Sequence, residues 1–224
     1  MATLAGVSTL LLRNVPLFAT LPENQLAALT RVVNRRSFPR GATIIAAGDV
    51  TDSLYVVISG TLKVTMSDES GREIILSMLG PREYFGEMVL IDDSTRSASV
   101  ISLGPCELLV LSRHEFRKCL SENFDMAMTM MRCLVKRLRE ADRKIGSLAL
   151  MDVYGRVARL LLDMSETIDG QRVVTRKIAK QDIAKMIGAS REMVSRVMKH
   201  LQVAGYIDAR GNSIYLRDNI VDIN

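Results

Sequence analysis

The sequence predicts an α+β chain of two domains, a β-roll with accompanying helices followed by a smaller helical domain that closes with a hairpin. Three observations carry that reading. Six short β-rich runs between Thr43 and Leu111 alternate with glycine-containing turns. An apolar four-three-four-three spacing starts at Phe124 and runs to Ala149. Near the C-terminus, two helical patterns flank Gly188–Ala189–Ser190, the spacing of a helix-turn-helix.

Composition narrows the class. The 224 residues are 48% hydrophobic, which excludes general disorder, and no apolar run approaches the length of a membrane span. The N-terminal MATLAGVSTLLLRNVP lacks a basic region before Leu10–Leu12, so it is not read as a signal peptide. Leu10, Leu11, Leu17 and Phe18 are instead expected to pack onto the domain that follows. Cys106, Cys119 and Cys133 are odd in number and have no Cys-x-x-Cys spacing. They suit a reducing cytoplasm and argue against a disulfide framework or a zinc site. His114 and His200 are far apart, and no Ser, His, Cys or Asp spacing suggests catalysis, so an enzyme is not expected. Net charge is +5, with 12 basic and 8 acidic residues from Val153 onward against 18 and 17 before it. The excess in the last third would attract phosphates.

Taken in order, residues about 13 to 36 read as helical, from Leu21, Leu26, Leu29 and Val32–Val33. Strands are expected at Thr43–Ala46, Leu54–Ser59, Thr61–Met66, Ile74–Met78, Ala98–Leu103 and Leu108–Leu111. Their even spacing suggests a barrel or roll, with a generic sandwich as the alternative. Tyr84–Ala98 breaks the strand pattern with a turn at Gly86, a single helical turn from Glu87, and a loop carrying Arg96 and Ser97. A helix N-terminus offers N–H groups to phosphate, Arg96 and Ser97 can add hydrogen bonds, and Glu87 can accept from a ribose hydroxyl. The plain alternative is a loop in which Arg96 pairs with Asp92 or Asp93.

From Phe124 a long helix is expected. Phe124, Met128, Met131, Val135, Leu138, Asp142, Ile145 and Ala149 form a coiled-coil seam whose simplest use is a parallel homodimer. The alternative is an amphipathic helix lying on its own barrel, and Leu134 and Leu148 beside the seam leave room for both. Asp142 is the odd member, because a carboxylate in an apolar seam is costly unless paired. It reads as functional, or as neutralised by Arg139 or Arg143.

Asp152 reads as the N-cap of a helix Val153–Ser165 and as the domain boundary, giving domains 1–151 and 152–224. A polar turn at Asp169–Gly170 and an extended Arg172–Thr175 precede the helix-turn-helix within Arg176–Gly211. Its first helix is Gln181–Ile187, and Ser190 caps the second. Arg191, Glu192 and Arg196 fall in the first two turns of that second helix. Arginine donates bidentately to guanine and glutamate accepts from cytosine, so this trio can read G·C pairs. Gly205 ends the reading helix, and Arg210–Gly211–Asn212 turn a hairpin of the kind that forms a wing.

The Phe-Gly-Glu-Met…Thr-Arg-Ser-Ala cassette, the long dimer helix and Ile-Gly-Ala-Ser-Arg-Glu-Met-Val-Ser-Arg together resemble the CRP/FNR family of bacterial transcription regulators, in the family's order and over nearly the whole chain. The resemblance implies a cyclic-nucleotide-binding β-roll with a dimerisation helix at about 123–150, then a winged helix-turn-helix domain. It implies a cytoplasmic homodimer that binds double-stranded DNA at palindromic TGTGA-like half-sites about one helical turn apart and contacts RNA polymerase, with no membrane. By position, Gly86, Glu87, Arg96 and Ser97 match the cyclic-nucleotide contacts, and Arg191, Glu192 and Arg196 match the base-reading trio. Ser190, Lys199 and Arg210 match phosphate contacts. No cysteine precedes Cys106, so the FNR iron–sulfur cluster is not expected, nor is haem or another metal.

Two departures stand out. The hydroxyl residue that the family often places early in the helix-turn-helix is Ala179 here. Where cAMP-binding members present Thr-Ser from the dimer helix to adenine, this chain has Ala141–Asp142. Guanine's N1–H and N2 amine are adjacent donors that a carboxylate can accept together, and Arg139 and Arg143 can meet another base edge. Cyclic di-GMP is thus at least as consistent with Asp142 as cAMP, though a carboxylate can also accept from the adenine amine. A regulator with a degenerate pocket that needs no effector is the remaining alternative.

Overall fold

The computed structural model describes residues 7–175 and 178–222, and Arg176 and Lys177 of the stretch opening the helix-turn-helix lie outside them, as do the first six residues of the apolar N-terminus. The chain divides into two compact units, Met1–Arg137 and Leu138–Asn224.

The first unit begins with helices α1 (Thr9–Arg13) and α2 (Glu23–Val32). Eight strands follow: β1 (Asn34–Phe38), β2 (Thr43–Ile45), β3 (Ser53–Ser59), β4 (Leu62–Ser67), β5 (Glu73–Leu79), β6 (Tyr84–Phe85), β7 (Ser99–Ser102) and β8 (Cys106–Ser112). A five-residue helix, α3 (Met88–Asp92), lies between β6 and β7. Helices α4 (Arg113–Glu122) and α5 (Phe124–Leu150) complete the segment. The strands pair antiparallel in two four-stranded sheets, β1-β8-β3-β6 and β2-β7-β4-β5.

Side-chain alternation builds two cores on the first sheet. Tyr55, Val57, Phe85, Leu108 and Val110 face the roll interior, where they meet Ile45, Leu62, Leu79 and Val100 of the other sheet. Their neighbours Leu54, Val56, Tyr84, Leu109 and Leu111 face the other way, onto Leu17, Phe18, Leu26, Leu29, Phe116, Met126 and Met130 of the helical segments. The near-continuous apolar runs in β3 and β8 follow from burial on both faces. Successive side chains point to opposite sides of a strand, so both sides must be apolar.

Several expectations need correction here. Residues 13–36 are not one helix: α1 ends at Arg13, turns carry the chain to Pro22, and β1 starts at Asn34. Pro16 and Pro22 cannot donate to a continuing helix, and Pro22 serves as the N-cap of α2. Leu17 and Phe18 are buried and Leu11 is partly buried, but Leu10 is exposed and Leu12 fills the core position. Helix α4, unforeseen in the sequence, is announced by Ser112 and Glu115. The Ser112 hydroxyl accepts from the Glu115 N–H at 3.3 Å, as in a capping box.

The second unit includes the C-terminal part of α5, then α6 (Val153–Met164), β9 (Glu166–Ile168), β10 (Gln171–Val174), α7 (Lys180–Ile187), α8 (Arg191–Val203), β11 (Ile207–Arg210), β12 (Ser213–Leu216) and a 3-10 helix, Asp218–Asp222. The sheet order is β11-β12-β10-β9. Asp152 caps α6, its carboxylate accepting from Gly155 N–H at 2.8 Å. Pairing of Ile168 with Gln171 leaves Asp169–Gly170 as a two-residue turn, and pairing of Arg210 with Ser213 leaves Gly211–Asn212. Val157, Leu161, Ile183, Ile187, Val194, Val197 and Leu201 supply the core that holds α6, α7 and α8 together.

Candidate functional site

Two buried charges mark the cassette. Glu87 is 1% exposed and Arg96 is 4% exposed, and with Thr65 and Ser102 they make up the buried polar residues among those described. A charge is held away from water only when its hydrogen-bonding capacity is met. Arg96 Nε donates to Thr51 Oγ1 at 2.9 Å, Nη1 to the Gly86 carbonyl at 2.7 Å, and Nη2 to the Ser53 carbonyl at 2.8 Å. Burial pulls this guanidinium below its usual pKa, opposed by Tyr55, Glu87, Asp52 and Asp49.

Gly86 lets the guanidinium lie there. Its φ is +84°, and a Cβ would stand 2.6 Å from Arg96 Nη1 and 2.9 Å from the Ser53 carbonyl. Asp92 and Asp93, the alternative partners for Arg96, are engaged elsewhere: Asp92 accepts from Ser94, and Asp93 pairs with Arg113 and Arg117. Ser97 is exposed beside this buried group.

Glu87 is the N-cap of α3 but makes no capping bond, because its carboxylate pairs with Arg137 of α5. Arg137 Nη2 also donates to the Tyr84 carbonyl at 2.6 Å, and its guanidinium lies 5.2 Å from the centre of the Tyr84 ring. Burial lowers the Arg137 pKa, but Glu87, Cys133 and Tyr84 outweigh it and leave a net rise. Sequence reasoning missed Arg137 and looked to Arg139 and Arg143. The available signal was its place on the stripe Met126, Met130, Cys133/Leu134, where a lone basic residue follows apolar ones at helical spacing.

Helix α5 has two apolar faces, as the neighbours of the seam suggested. Met126 and Met130 are buried and Leu134 is partly buried against the first core. The seam residues Phe124, Met131, Val135, Leu138 and Ile145 are exposed. A helix can therefore lie on its own roll and still offer a bare stripe for a second copy. Asp142 and its neighbour Ala141 are exposed on this helix.

In the second unit the residues expected to read DNA are set out by helical periodicity. Val194, Val197 and Leu201 turn inward, which leaves Arg191, Glu192, Arg196 and Lys199 exposed. Ser190 Oγ accepts from the Met193 N–H at 3.2 Å and fixes the start of α8. Gly188 ends α7 in the left-handed region, φ 65°, so the chain can turn between the helices. Ala179 is the N-cap of α7 and makes no side-chain bond. Arg210, next to the hairpin tip, pairs with Asp208 at 2.7 Å and lies 4.8 Å from the centre of the Tyr215 ring.

Burial pushes the Cys119 thiol up to about 11, with Glu115 and Glu122 adding to the rise. Among the described residues no group of three or more His, Cys, Asp or Glu side chains could hold a metal ion, and no helix is long and apolar enough to cross a membrane.

Comparison with known proteins places both units. Residues 35–123 match the cyclic nucleotide-binding domain family, and residues 155–219 match the Crp-like helix-turn-helix domain. The CRP-like cAMP-activated global transcriptional regulator of Mycobacterium tuberculosis is 30% identical over 213 residues, 93% of this chain and 95% of that protein. The cAMP-activated global transcriptional regulator Vfr of Pseudomonas aeruginosa is 35% identical over 191 residues, 81% of this chain and 88% of that protein. Among solved structures, the c-di-GMP responsive global regulator CLP of Xanthomonas campestris matches with a TM-score of 0.72 at 30% identity, covering 87% of this chain and 99% of that one. With an antiparallel roll, a long helix bearing a bare seam, and a winged helix-turn-helix in that order, the chain belongs to the CRP/FNR family of bacterial transcription regulators.

Proposed function

We propose that this regulator acts as a cytoplasmic homodimer whose effector is cyclic di-GMP, with Gly86, Glu87, Arg96 and Ser97 as the phosphate and ribose end of the site and Asp142 as the acceptor for the guanine edge. The observation that carries the choice of base is the exposed carboxylate of Asp142 beside Ala141, where cAMP-binding members present two hydroxyls. The c-di-GMP responsiveness named for the Xanthomonas relative supports it.

The cassette fits a cyclic phosphate, with one condition. Arg96 has committed three N–H groups to Thr51, Gly86 and Ser53, so serving a phosphate requires it to exchange at least part of that set. When bound, the effector supplies negative charge to the cassette and a base edge to Asp142. The protein's own part is to hold Glu87 on Arg137, to release and re-aim Arg96, and to relieve the repulsion between two Asp142 side chains across the seam. Such relief shifts the dimer toward the state in which both reading helices meet DNA, provided that the two states differ in effector affinity by a few kcal/mol.

On the DNA side, Arg191, Glu192 and Arg196 read TGTGA-like half-sites of a palindrome, while Ser190, Lys199 and Arg210 contact phosphates. RNA polymerase is the further partner. We place the functional boundary at 151/152, where Asp152 caps α6.

Calorimetry with cyclic di-GMP and with cAMP tests the choice of effector. Asp142→Ala should weaken cyclic di-GMP binding by about 1.5–3 kcal/mol, the worth of hydrogen bonds to a charged group. If cAMP binds, keeps its affinity in Asp142→Ala, and cyclic di-GMP fails to bind, the guanine reading is wrong. A second reading has its own observation: Arg96 and Glu87 are already partnered by the protein, as a regulator that needs no effector would require. Operator affinity that ignores both nucleotides, in the wild type and in Arg96→Ala alike, would favour it.

A further inference from the structure

Helix α3 is too short to hold itself. Five residues close too few hydrogen bonds to offset the ordering of their backbone, so tertiary contacts must keep it in place. Gly86 and Glu87 precede this helix, and the loop leaving it carries Arg96 and Ser97. Where α3 sits therefore decides how all four cassette residues are presented.

It is tied at both ends by arginines from the helices that follow the roll. At the N-terminal end, Arg137 of α5 holds Glu87. At the C-terminal end the ties come from α4. Arg117 Nε donates to the Leu90 carbonyl at 2.8 Å, and its Nη2 to the Asp93 carboxylate at 2.9 Å. Arg113 Nη2 donates to the Val89 carbonyl at 3.2 Å, and its Nη1 to the same carboxylate. The last carbonyls of a helix carry partial negative charge, which suits two guanidinium groups, and the Val89 carbonyl accepts from the Asp93 N–H at 3.2 Å as well. Asp93 caps this end with φ 58° and ψ 20°, left-handed values that Asp adopts more readily than most residues. Arg117 and then Arg113 hold its carboxyl below the usual carboxylate range. The two arginines are four residues apart on one face of α4, and α4 leads through Asn123 into α5.

We infer that Arg113 and Arg117, acting through Asp93 and the carbonyls of Val89 and Leu90, are positioning residues of the effector site. They hold α3 from behind and so set how Gly86, Glu87, Arg96 and Ser97 meet a cyclic phosphate. None of the three touches the effector. Because α4 leads into α5, the same tie carries displacement of the cassette toward the helix that bears the seam. The role in effector binding rests on the cyclic-nucleotide reading above, whereas the tie itself is independent of it.

The test uses the whole 224-residue chain and two variants. Asp93→Asn removes the charge but keeps the size and the tolerance of left-handed backbone. Arg113→Gln combined with Arg117→Gln removes both guanidinium groups. Affinity for cyclic di-GMP and cAMP, the thermal midpoint, and amide hydrogen exchange over residues 86–97 are measured together. Asp93→Asn should weaken effector binding about threefold, as expected of an exposed ion pair. The double variant should weaken it about tenfold, because charge-assisted bonds to backbone are lost as well. Exchange over 86–97 should speed up while β3 and β8 keep their protection. Unchanged affinity and exchange in both variants overturn the inference. So does a loss of affinity that merely follows a lower thermal midpoint and faster exchange throughout the roll. If the wild type binds neither nucleotide, the effector reading falls and exchange alone judges the tie: selective acceleration over 86–97 supports it, and unchanged exchange removes it.

Discussion

The reading helix and the effector cassette solve opposite problems with the same residue types. On α8, Arg191, Glu192 and Arg196 stand exposed because Val194, Val197 and Leu201 take the inward positions. In the cassette, Glu87 and Arg96 are buried and answered by the protein, through Arg137, Thr51, Ser53 and Gly86. The reader depends on neighbours three and four residues away. Beyond Gly86, the cassette depends on partners 43 to 50 residues away in the chain, Ser53 and Thr51 for Arg96 and Arg137 for Glu87. A surface built locally can be always ready, whereas a charge pair built from distant segments can be rearranged. The difference fits an output that is constant and an input that switches.

The sharpest way to break this contrast is Glu87→Ala. The substitution leaves Arg137 without its carboxylate and a void beside Gly86. Removing one partner of a buried pair typically costs 3–5 kcal/mol, but the Arg137 side chain is 36% exposed and can turn partly to water, so about 2–3 kcal/mol is expected. Urea unfolding measures it, and effector binding should fall in parallel. A stability within about 0.5 kcal/mol of wild type, the usual range for surface changes, would mean that the pair is not structural.

Arg191→Ala probes the other side. It should cost about 1–3 kcal/mol in operator affinity and relax discrimination at one base pair, with the thermal midpoint unmoved. Binding to scrambled DNA in parallel separates lost readout from lost charge. If affinity for both sequences falls equally, Arg191 contacts phosphate and the base-reading role is wrong for this residue.

These two substitutions also mark what the sequence could disclose. Helix-turn-helix, hairpin tip and caps were legible because each rests on a few adjacent residues. Ser190, Gly188 and Asp152 do locally what their chemistry suggests. The six expected strands lie within a residue or two of β2, β3, β4, β5, β7 and β8, but the sequence hides β1 because Val32–Val33 continues the helical apolar spacing just before Asn34. Helix α4 went unseen although Ser112 and Glu115 announce it. The cassette residues could be named, but not that Arg96 is buried or that Arg137 completes Glu87, because those bonds join segments distant in the chain. Periodicity sees one element at a time, and burial of a charge is decided between elements.

The smallest effect expected is a gain, at Ala179. This residue is the N-cap of α7 with extended backbone, φ −67° and ψ 140°, the conformation from which a serine hydroxyl accepts from the first-turn N–H groups. Alanine offers no side-chain acceptor, so the Asp182 N–H donates to the Ala179 carbonyl at 2.9 Å instead, and Asp182 would complete a capping box with a hydroxyl at 179. Ala179→Ser should therefore stabilise the second unit by about 0.5–1 kcal/mol, read as a rise in thermal midpoint. It also returns the hydroxyl that the family often uses on a phosphate, so operator affinity should rise, with salt dependence unchanged because a neutral hydroxyl releases no counterion. A higher midpoint without a change in DNA binding would confine position 179 to capping. Tighter DNA binding without a higher midpoint would assign it to the interface alone. No change in either would mean that α7 starts independently of its cap, and the local logic that organises the reader would then stop at α8.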